Sequence, residues 1–180
     1  SLDGIETFIN LDTLKFSCNS ITNLNLSHNP GLKVLECGSN LLTSLDVSAC
    51  PVLEILNCDM NQLTNLDVSN NTVLTELYCN GNQLTSLDVS NNTALEHLGL
   101  YDMPSLYEVC VWNDFSFDSI DAGTTGSPNV CFETDCDGLC IGTAVERFSP
   151  TVSTIYPNPA NNQITIKKSD PGKHIIEITS

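Results

Sequence analysis

A 21-residue period dominates this sequence. Five leucines mark it at equal intervals: Leu11, Leu32, Leu53, Leu74 and Leu95. Two successive copies read LEILNCDMNQLTNLDVSNNTV (53–73) and LTELYCNGNQLTSLDVSNNTA (74–94), and the copy that starts at residue 95 gains one residue. A repeat this short cannot bury its own apolar side chains, so successive copies must stack and share one core.

Each copy consists of two similar halves. The first follows L-x-x-L-x-C-x-x-N and the second L-T-x-L-D-V-S-x-N. The alternations L-x-C and L-D-V predict strands of three residues, and no helical period lies between them. We therefore expect an all-β solenoid of about five coils, with two strands per coil in two parallel sheets and a coil spacing of ~4.8 Å. The Asn that ends each half is expected to bond the backbone of neighbouring coils.

Both halves match the pattern L-x-x-L-x-L-x-x-N, and the sequence strongly resembles the leucine-rich repeat family over residues 11–114. The resemblance is to the short variety, whose 21-residue unit contains two half-repeats. Residues 1–10 are then an N-terminal cap. Ligands of this family usually lie on a strand-lined face, and the resemblance implies the same here.

The outward positions of the first strand differ among the copies, whereas those of the second strand are nearly constant. One variable row is Lys15, Glu36, Asn57, Tyr78 and Gly99, and the other is Thr13, Val34, Ile55, Glu76 and His97. Positions that vary are free to specialise, so this face is the candidate surface for a protein or glycan partner. The candidate binding residues are Glu36, Ile55, Asn57, Glu76, Tyr78 and His97. The alternative is ordinary drift at solvated positions of a passive scaffold.

An acidic row lies on the second strand, at Asp46, Asp67 and Asp88. Stacked carboxylates repel, so one hypothesis is that calcium, which prefers oxygen ligands, bridges them. The other interpretation is a solvated acidic stripe beside Ser and Asn. Apart from this calcium hypothesis, the sequence indicates no cofactor.

Eight of the nine cysteines divide into two groups, and the role of Cys18, near the N-terminal end, is left open by the sequence. Cys37, Cys58 and Cys79 share one inward ladder position and are expected to behave as small buried apolar residues, and Cys50 replaces an Asn. Four others follow the repeats, at Cys110, Cys131, Cys136 and Cys140. This cluster suggests disulfides and an oxidising setting, with three pairings possible, and the rival interpretation is a zinc site.

The segment CVWNDFSFDSIDAGTTGSPNVCFETDC (110–136) resembles the C-terminal cap of secreted Bacteroidetes leucine-rich repeat proteins. That resemblance implies a Cys-rich cap over residues 115–141. It favours a Cys110–Cys136 disulfide, which leaves Cys131 and Cys140 as the second pair.

The C-terminal segment differs in composition from the repeats. Residues 142–154 read as a linker, and a turn at Tyr156-Pro157-Asn158-Pro159 precedes an Ile-Thr-Ile strand, with a second strand expected near Ile175 to Ile178. Residues 155–180 resemble the start of a type IX secretion C-terminal sorting domain, shortened here. That resemblance implies contact with the type IX machinery and export across the outer membrane. The alternative is a Pro-rich linker with an incidental strand.

The distribution of charged residues argues against two classes of binding partner. The chain carries 22 acidic and 6 basic residues, and no Lys or Arg occurs between residues 34 and 146. A surface without cations does not neutralise phosphates, which argues against nucleic acid and anionic membranes. No apolar run is long enough to span a bilayer, so no membrane insertion is expected.

No catalytic motif is present, because the three histidines lie far apart and no nucleophile or phosphate-binding signature occurs. We therefore expect a non-catalytic module, secreted or at the cell surface, that acts in recognition or adhesion through its variable strand face. The alternative is a passive spacer of a larger surface protein, stabilised by calcium if the acidic row binds it.

Overall fold

A computed structural model describes residues 2–116, 121–128 and 130–134, together with the backbone of three strands at 153–155, 163–170 and 173–179. A short 3-10 helix, Ile5–Thr7, precedes the solenoid. The solenoid strands are β1 (Thr13–Lys15), β2 (Val34–Glu36), β3 (Ile55–Asn57), β4 (Glu76–Tyr78), β5 (Ser86–Asp88), β6 (His97–Gly99), β7 (Glu108–Cys110), β8 (Asp121–Gly123) and β9 (Cys131–Glu133).

The first halves of the repeats form one parallel sheet of six strands, in the order β1-β2-β3-β4-β6-β8. Equivalent positions of successive copies face each other, as Val34, Ile55, Glu76 and His97 do across β2, β3, β4 and β6. The expected all-β solenoid with parallel stacking is therefore confirmed. Strand β8 pairs with β6 in the same register, Gly99 opposite Gly123, so the sheet continues into the segment assigned to the cap.

The second halves form a smaller parallel sheet, β5-β7-β9. In the first three coils the equivalent segments, 23–25, 44–46 and 65–67, are not strands, so the expectation of two strands in every coil is wrong there. No backbone hydrogen bond links these three segments to one another. Asn25, Asp46 and Asp67 in these segments each accept the N–H of the serine two residues later, as Asp88 also does from within β5.

Inward side chains form a continuous apolar core. The central residue of each strand in the six-stranded sheet is buried from β1 to β6: Leu14, Leu35, Leu56, Leu77 and Leu98. Cys37, Cys58 and Cys79 lie in the next inward row with no exposed area, as the repeat pattern predicted. Each buried leucine contributes roughly 1.5–3 kcal/mol, so stacking rather than local propensity holds the coils together.

Two ladders of buried asparagines link the coils. In the first ladder (Asn40, Asn61 and Asn82) each Nδ2 donates to carbonyls of its own and the preceding coil, and each Oδ1 accepts a backbone N–H at 3.0 Å from the preceding coil. The second ladder is Asn29, Cys50, Asn71 and Asn92. Its three amide Oδ1 atoms are buried and accept no hydrogen bond from a protein group. The expected Asn contacts between coils are confirmed.

A left-handed turn recurs once per coil, just after the strand of the six-stranded sheet. Its φ angles are between 50° and 62°, at Cys18, Ser39, Met60, Gly81 and Asp102. Only one of these five residues is a glycine, although side chains disfavour this region. Cys18, whose role the sequence left open, is thus an exposed turn residue with a free thiol.

Aromatic residues cover the C-terminal end of the core. The ring of Phe115 meets Trp112 edge-on at 5.2 Å and stacks on Phe132 at 5.6 Å. Trp112 and Phe115 are partly buried against the core, and Phe132 is buried. These contacts close the apolar edge that a terminal coil would otherwise expose.

Three strands form a separate antiparallel sheet: β10 (Ser153–Ile155), β11 (Gln163–Asp170) and β12 (Lys173–Thr179), in that order. Strand β11 contains the Ile-Thr-Ile alternation and β12 contains Ile175 to Ile178, so both expected strands are present. The register runs from Gln163 opposite Thr179 to Asp170 opposite Lys173, with an irregularity between Lys168 and Asp170. Residues 156–159, the proposed sorting motif, lie outside the described residues.

Candidate functional site

The six-stranded sheet places all six candidate binding residues on one face. Pairing sets Glu36 opposite Asn57 and Asn57 opposite Tyr78, while Ile55 is opposite Glu76 and Glu76 opposite His97. Each of these side chains flanks a buried leucine and is half-buried. The two variable rows are thus continuous in space, although their residues are 21 positions apart in the sequence.

The N-terminal part of this face carries two compensated charge pairs. Lys15 Nζ lies 2.7 Å from Glu36 Oε1, and Lys33 Nζ lies 3.7 Å from Glu54 Oε1. These side chains are about half-exposed, so such pairs stabilise the fold by less than about 1 kcal/mol. Their main effect is local neutrality, and Glu36 already has a cationic partner within the protein.

A chain of hydrogen bonds runs along the rim of the face, from Asn57 to Tyr101. Asp59 N donates to Asn57 Oδ1 at 3.1 Å, and Asn80 donates to Asp59 Oδ1 from its backbone N at 2.8 Å and its Nδ2 at 2.9 Å. Tyr101 N then donates to Asn80 Oδ1 at 2.7 Å. Burial raises the pKa of Asp59, against the opposing effect of the bonds from Asn80. This network orients Asn57 and ties Tyr101 to the candidate surface.

Asp59, Asn80 and Tyr101 were not among the candidates. They form a further variable row, two residues beyond the strand in each copy, where the sequence reads Ser17, Gly38, Asp59, Asn80 and Tyr101. Comparing copies at turn positions as well as strand positions is the signal that finds them.

Two tyrosines lie across glycines of the next coil. A Cβ built on Gly99 would be 2.9 Å from Tyr78 Cδ1 and 2.9 Å from the amide atoms of Asn80. A Cβ built on Gly123 would collide with the Tyr101 ring. The ring positions therefore require glycine in both strands.

The candidate calcium residues lie on the second half of the repeat, away from the six-stranded sheet. Asp46, Asp67 and Asp88 each accept the N–H of Ser48, Ser69 or Ser90 at 2.9 Å. Hydrogen bonds from these serines lower the pKa of Asp46 and of Asp67. Within the described residues no group of three or more His, Cys, Asp or Glu could hold a metal ion. These turns occupy Oδ1 of each aspartate in the row.

A polar groove of about 650 Å³ opens beside that row, between the unpaired segments of the first three coils. Its polar lining includes Asn23, Asn25, Thr43, Ser44, Asp46, Thr64 and Asn65. These are the positions that stay nearly constant from copy to copy, in contrast to the variable face.

The ladder thiols do not provide a nucleophile. Burial raises the pKa of Cys37 to about 12 and also raises the pKa of Cys58 and of Cys79. A thiol needs an accessible, lowered pKa to react, so these side chains serve the core.

The later cysteines differ from the ladder thiols. Cys110 ends β7 and Cys131 begins β9. Cys136 and Cys140 lie outside the described residues, so the pairing of the four stays a prediction.

Solved structures resemble this fold. The functional domain of InlJ from Listeria monocytogenes, which includes a cysteine ladder, matches with a TM-score of 0.58 and 32% sequence identity, over 74% of this chain and 36% of that chain. An internalin (inlF) from Listeria monocytogenes strain 4b F2365 matches with a TM-score of 0.46 and 21% identity, over 71% of this chain and 36% of that chain. No family model and no curated protein matches the sequence.

The chain has a leucine-rich repeat solenoid fold. The similarity to InlJ agrees with the six-stranded parallel sheet and with the row of Cys37, Cys58 and Cys79 found here. This chain spans about a third of each of the two matched chains, at 36%. In the described part of the chain, no helix is long and apolar enough to cross a membrane.

Proposed function

We propose that this protein is an extracellular or cell-surface recognition module that binds a protein or glycan partner through the outward face of the six-stranded sheet. The observation that carries the proposal is the contrast between copies. Glu36, Asn57, Tyr78 and their neighbours differ in every coil and lie side by side, whereas the second half repeats nearly the same residues. Rigid strands present these side chains in a fixed register, which lowers the entropy cost of binding.

The similarity to the InlJ functional domain supports a recognition role, and no catalytic function is proposed.

We also infer export to the cell surface, with Tyr156 to Pro159 as the sorting motif and disulfides in the Cys110 to Cys140 segment. Deleting residues 155–180 from the secreted protein should retain it inside the cell, as an immunoblot of cell and medium fractions would show. Unchanged secretion would contradict the sorting role.

The binding proposal is tested with a panel of extracellular proteins and a glycan array. The test variant replaces Glu36, Ile55, Tyr78 and His97 with alanine, and the matched control replaces Asn23, Ser44, Asn65 and Ser86 on the second half. We expect the test variant to lose at least about tenfold in affinity, equivalent to about 1.4 kcal/mol, and the control to stay near wild type. Thermal melting verifies that both variants fold.

The second candidate function is a passive spacer, favoured by the near-identical second halves that build a regular, extended stack. A spacer has no specific ligand. Equal affinity of the test variant, the control and the wild type for every captured ligand would therefore favour the spacer and contradict the recognition face.

A further inference from the structure

Two tyrosines whose rings lie over glycines indicate which kind of partner the proposed recognition face binds. Gly99 and Gly123 occupy the same outward position in β6 and β8 and face each other in register. The rings of Tyr78 and Tyr101 use the space that a Cβ at these positions would fill. Tyr78 lies in β4 and Tyr101 follows β6 by two residues. Each ring nevertheless covers a strand glycine of the next coil, so together they build an aromatic surface on the strand backbone.

Tyr101 is held in place by its backbone. Its N–H donates to Asn80 Oδ1 at 2.7 Å, and its carbonyl accepts the Gly81 N–H at 2.9 Å. The residue is nevertheless 42% exposed. An aromatic ring that already packs against the strand backbone loses little conformational freedom when a ligand stacks on it.

Three acidic side chains lie near the rings, and no Lys or Arg is close to them in the sequence. Glu76 shares the outward face of β4 with Tyr78, Glu96 directly precedes β6, and Asp102 directly follows Tyr101. Lys15 and Lys33 lie near the other end of the sheet, where they pair with Glu36 and Glu54. No Lys or Arg occurs between residues 34 and 146. A cationic ligand is therefore attracted to this end of the face.

We propose that Tyr78 and Tyr101, whose rings lie over glycines of the next coil, bind arginine or lysine side chains of a protein partner. The cation lies over the ring, and Glu76, Glu96 and Asp102 supply the complementary field. The proposal rests on the proposed recognition face and specifies its partner as a basic protein segment. Aromatic rings also stack on sugars, but the three carboxylates around these rings favour a cation over a neutral glycan.

The probe is a peptide of alternating glycine and arginine with four arginines. Its matched control carries citrulline, the neutral analogue of nearly the same shape, in place of each arginine. Isothermal titration at low salt should show binding of the arginine peptide at least tenfold tighter than that of the citrulline peptide, with the difference falling as salt rises. Equal affinity for the two peptides would overturn the proposal.

Variants then locate the site. We expect Tyr101→Leu and Tyr78→Leu each to weaken arginine-peptide binding about two- to fivefold, the range for a cation over an exposed ring, and Tyr101→Phe to retain it. Gly99→Ala and Gly123→Ala should weaken it similarly, since the added Cβ displaces the ring. Tyr107→Leu is the control, because Tyr107 is 43% exposed on the second half of the repeat.

These outcomes test the tyrosine site separately from the recognition face as a whole. Equal losses in all variants, Tyr107→Leu included, or no loss in any folded variant, would overturn the tyrosine site. So would a neutral oligosaccharide that depends on Tyr78 and Tyr101 while the arginine peptide does not bind. In either case the fourfold alanine variant still tests the recognition face independently with its own ligand.

Discussion

The two halves of each repeat follow one motif and fold differently. Every coil contributes a strand to the six-stranded sheet, but only the last three second halves pair as strands. The Asn ladders differ in the same way: Asn61 Oδ1 accepts Leu42 N at 3.0 Å, whereas Asn71 Oδ1 is buried without a protein donor. The shared leucines decide which side chains point inward. The hydrogen bonds between coils decide which side of the stack closes into a sheet.

The strongest test of this comparison removes one asparagine from each ladder. Asn61→Ala loses three Nδ2 bonds, to the carbonyls of Cys37, Cys58 and Asp59, and the bond from Leu42 N. Asn71→Ala loses two, to Val47 O and Cys50 O. Because each buried group left without a partner costs about 1–3 kcal/mol, we expect a loss of about 3 kcal/mol for Asn61→Ala and about half of that for Asn71→Ala.

Urea unfolding, monitored by circular dichroism, measures both free energies. The slope of the transition should stay constant if both variants remain two-state. Equal losses in the two ladders would contradict the view that the first half carries the stronger connection between coils.

The second test repairs the weaker ladder. Cys50 donates only a long thiol bond to Asn29 O at 3.5 Å, where Asn71 and Asn92 each donate two amide bonds at 2.8 to 3.1 Å. Cys50→Asn should therefore raise the free energy of unfolding by about 1 kcal/mol, because two new amide bonds outweigh the cost of one further buried Oδ1 without a donor. Urea unfolding monitored by circular dichroism measures this change as well.

The control is the same substitution in the core row. Cys58→Asn places an amide in a row of apolar side chains, so it should destabilise by at least about 1 kcal/mol because a polar group is buried there. If both substitutions changed stability in the same direction, ladder position would not decide the effect.

The sequence predicted the repeat, the inward leucines and cysteines, the parallel register and the face that joins Glu36, Asn57 and Tyr78. These follow from side-chain periodicity, which is local information. It did not predict that segments 23–25, 44–46 and 65–67 would remain unpaired, because L-D-V is as good a strand pattern as L-x-C. Asx turns do not make this choice, because Asp88 makes the same turn from within β5. The difference lies in the pairing between coils, which joins β5, β7 and β9 but not the three earlier segments.

Tyr101 was missed for a related reason. It follows the strand rather than lying in it, and the residues added beyond it change the register to 24 positions between Gly99 and Gly123. Only the backbone geometry shows that the Gly123 position accommodates its ring.

The smallest expected effect concerns the left-handed turn that connects the two halves. Ser39 has φ 55° and Gly81 has φ 62° at equivalent positions. A side chain at such an angle costs roughly 1–2 kcal/mol, and a glycine loses about 0.5–1 kcal/mol more entropy on folding, so Ser39→Gly should stabilise by about 0.5 kcal/mol. Gly81→Ser should destabilise more than Ser39→Gly stabilises, because an added Cβ also meets the Met60 side chain. Paired urea titrations of the two variants decide the sign, and stabilisation by Gly81→Ser would show that the turn tolerates side chains without strain.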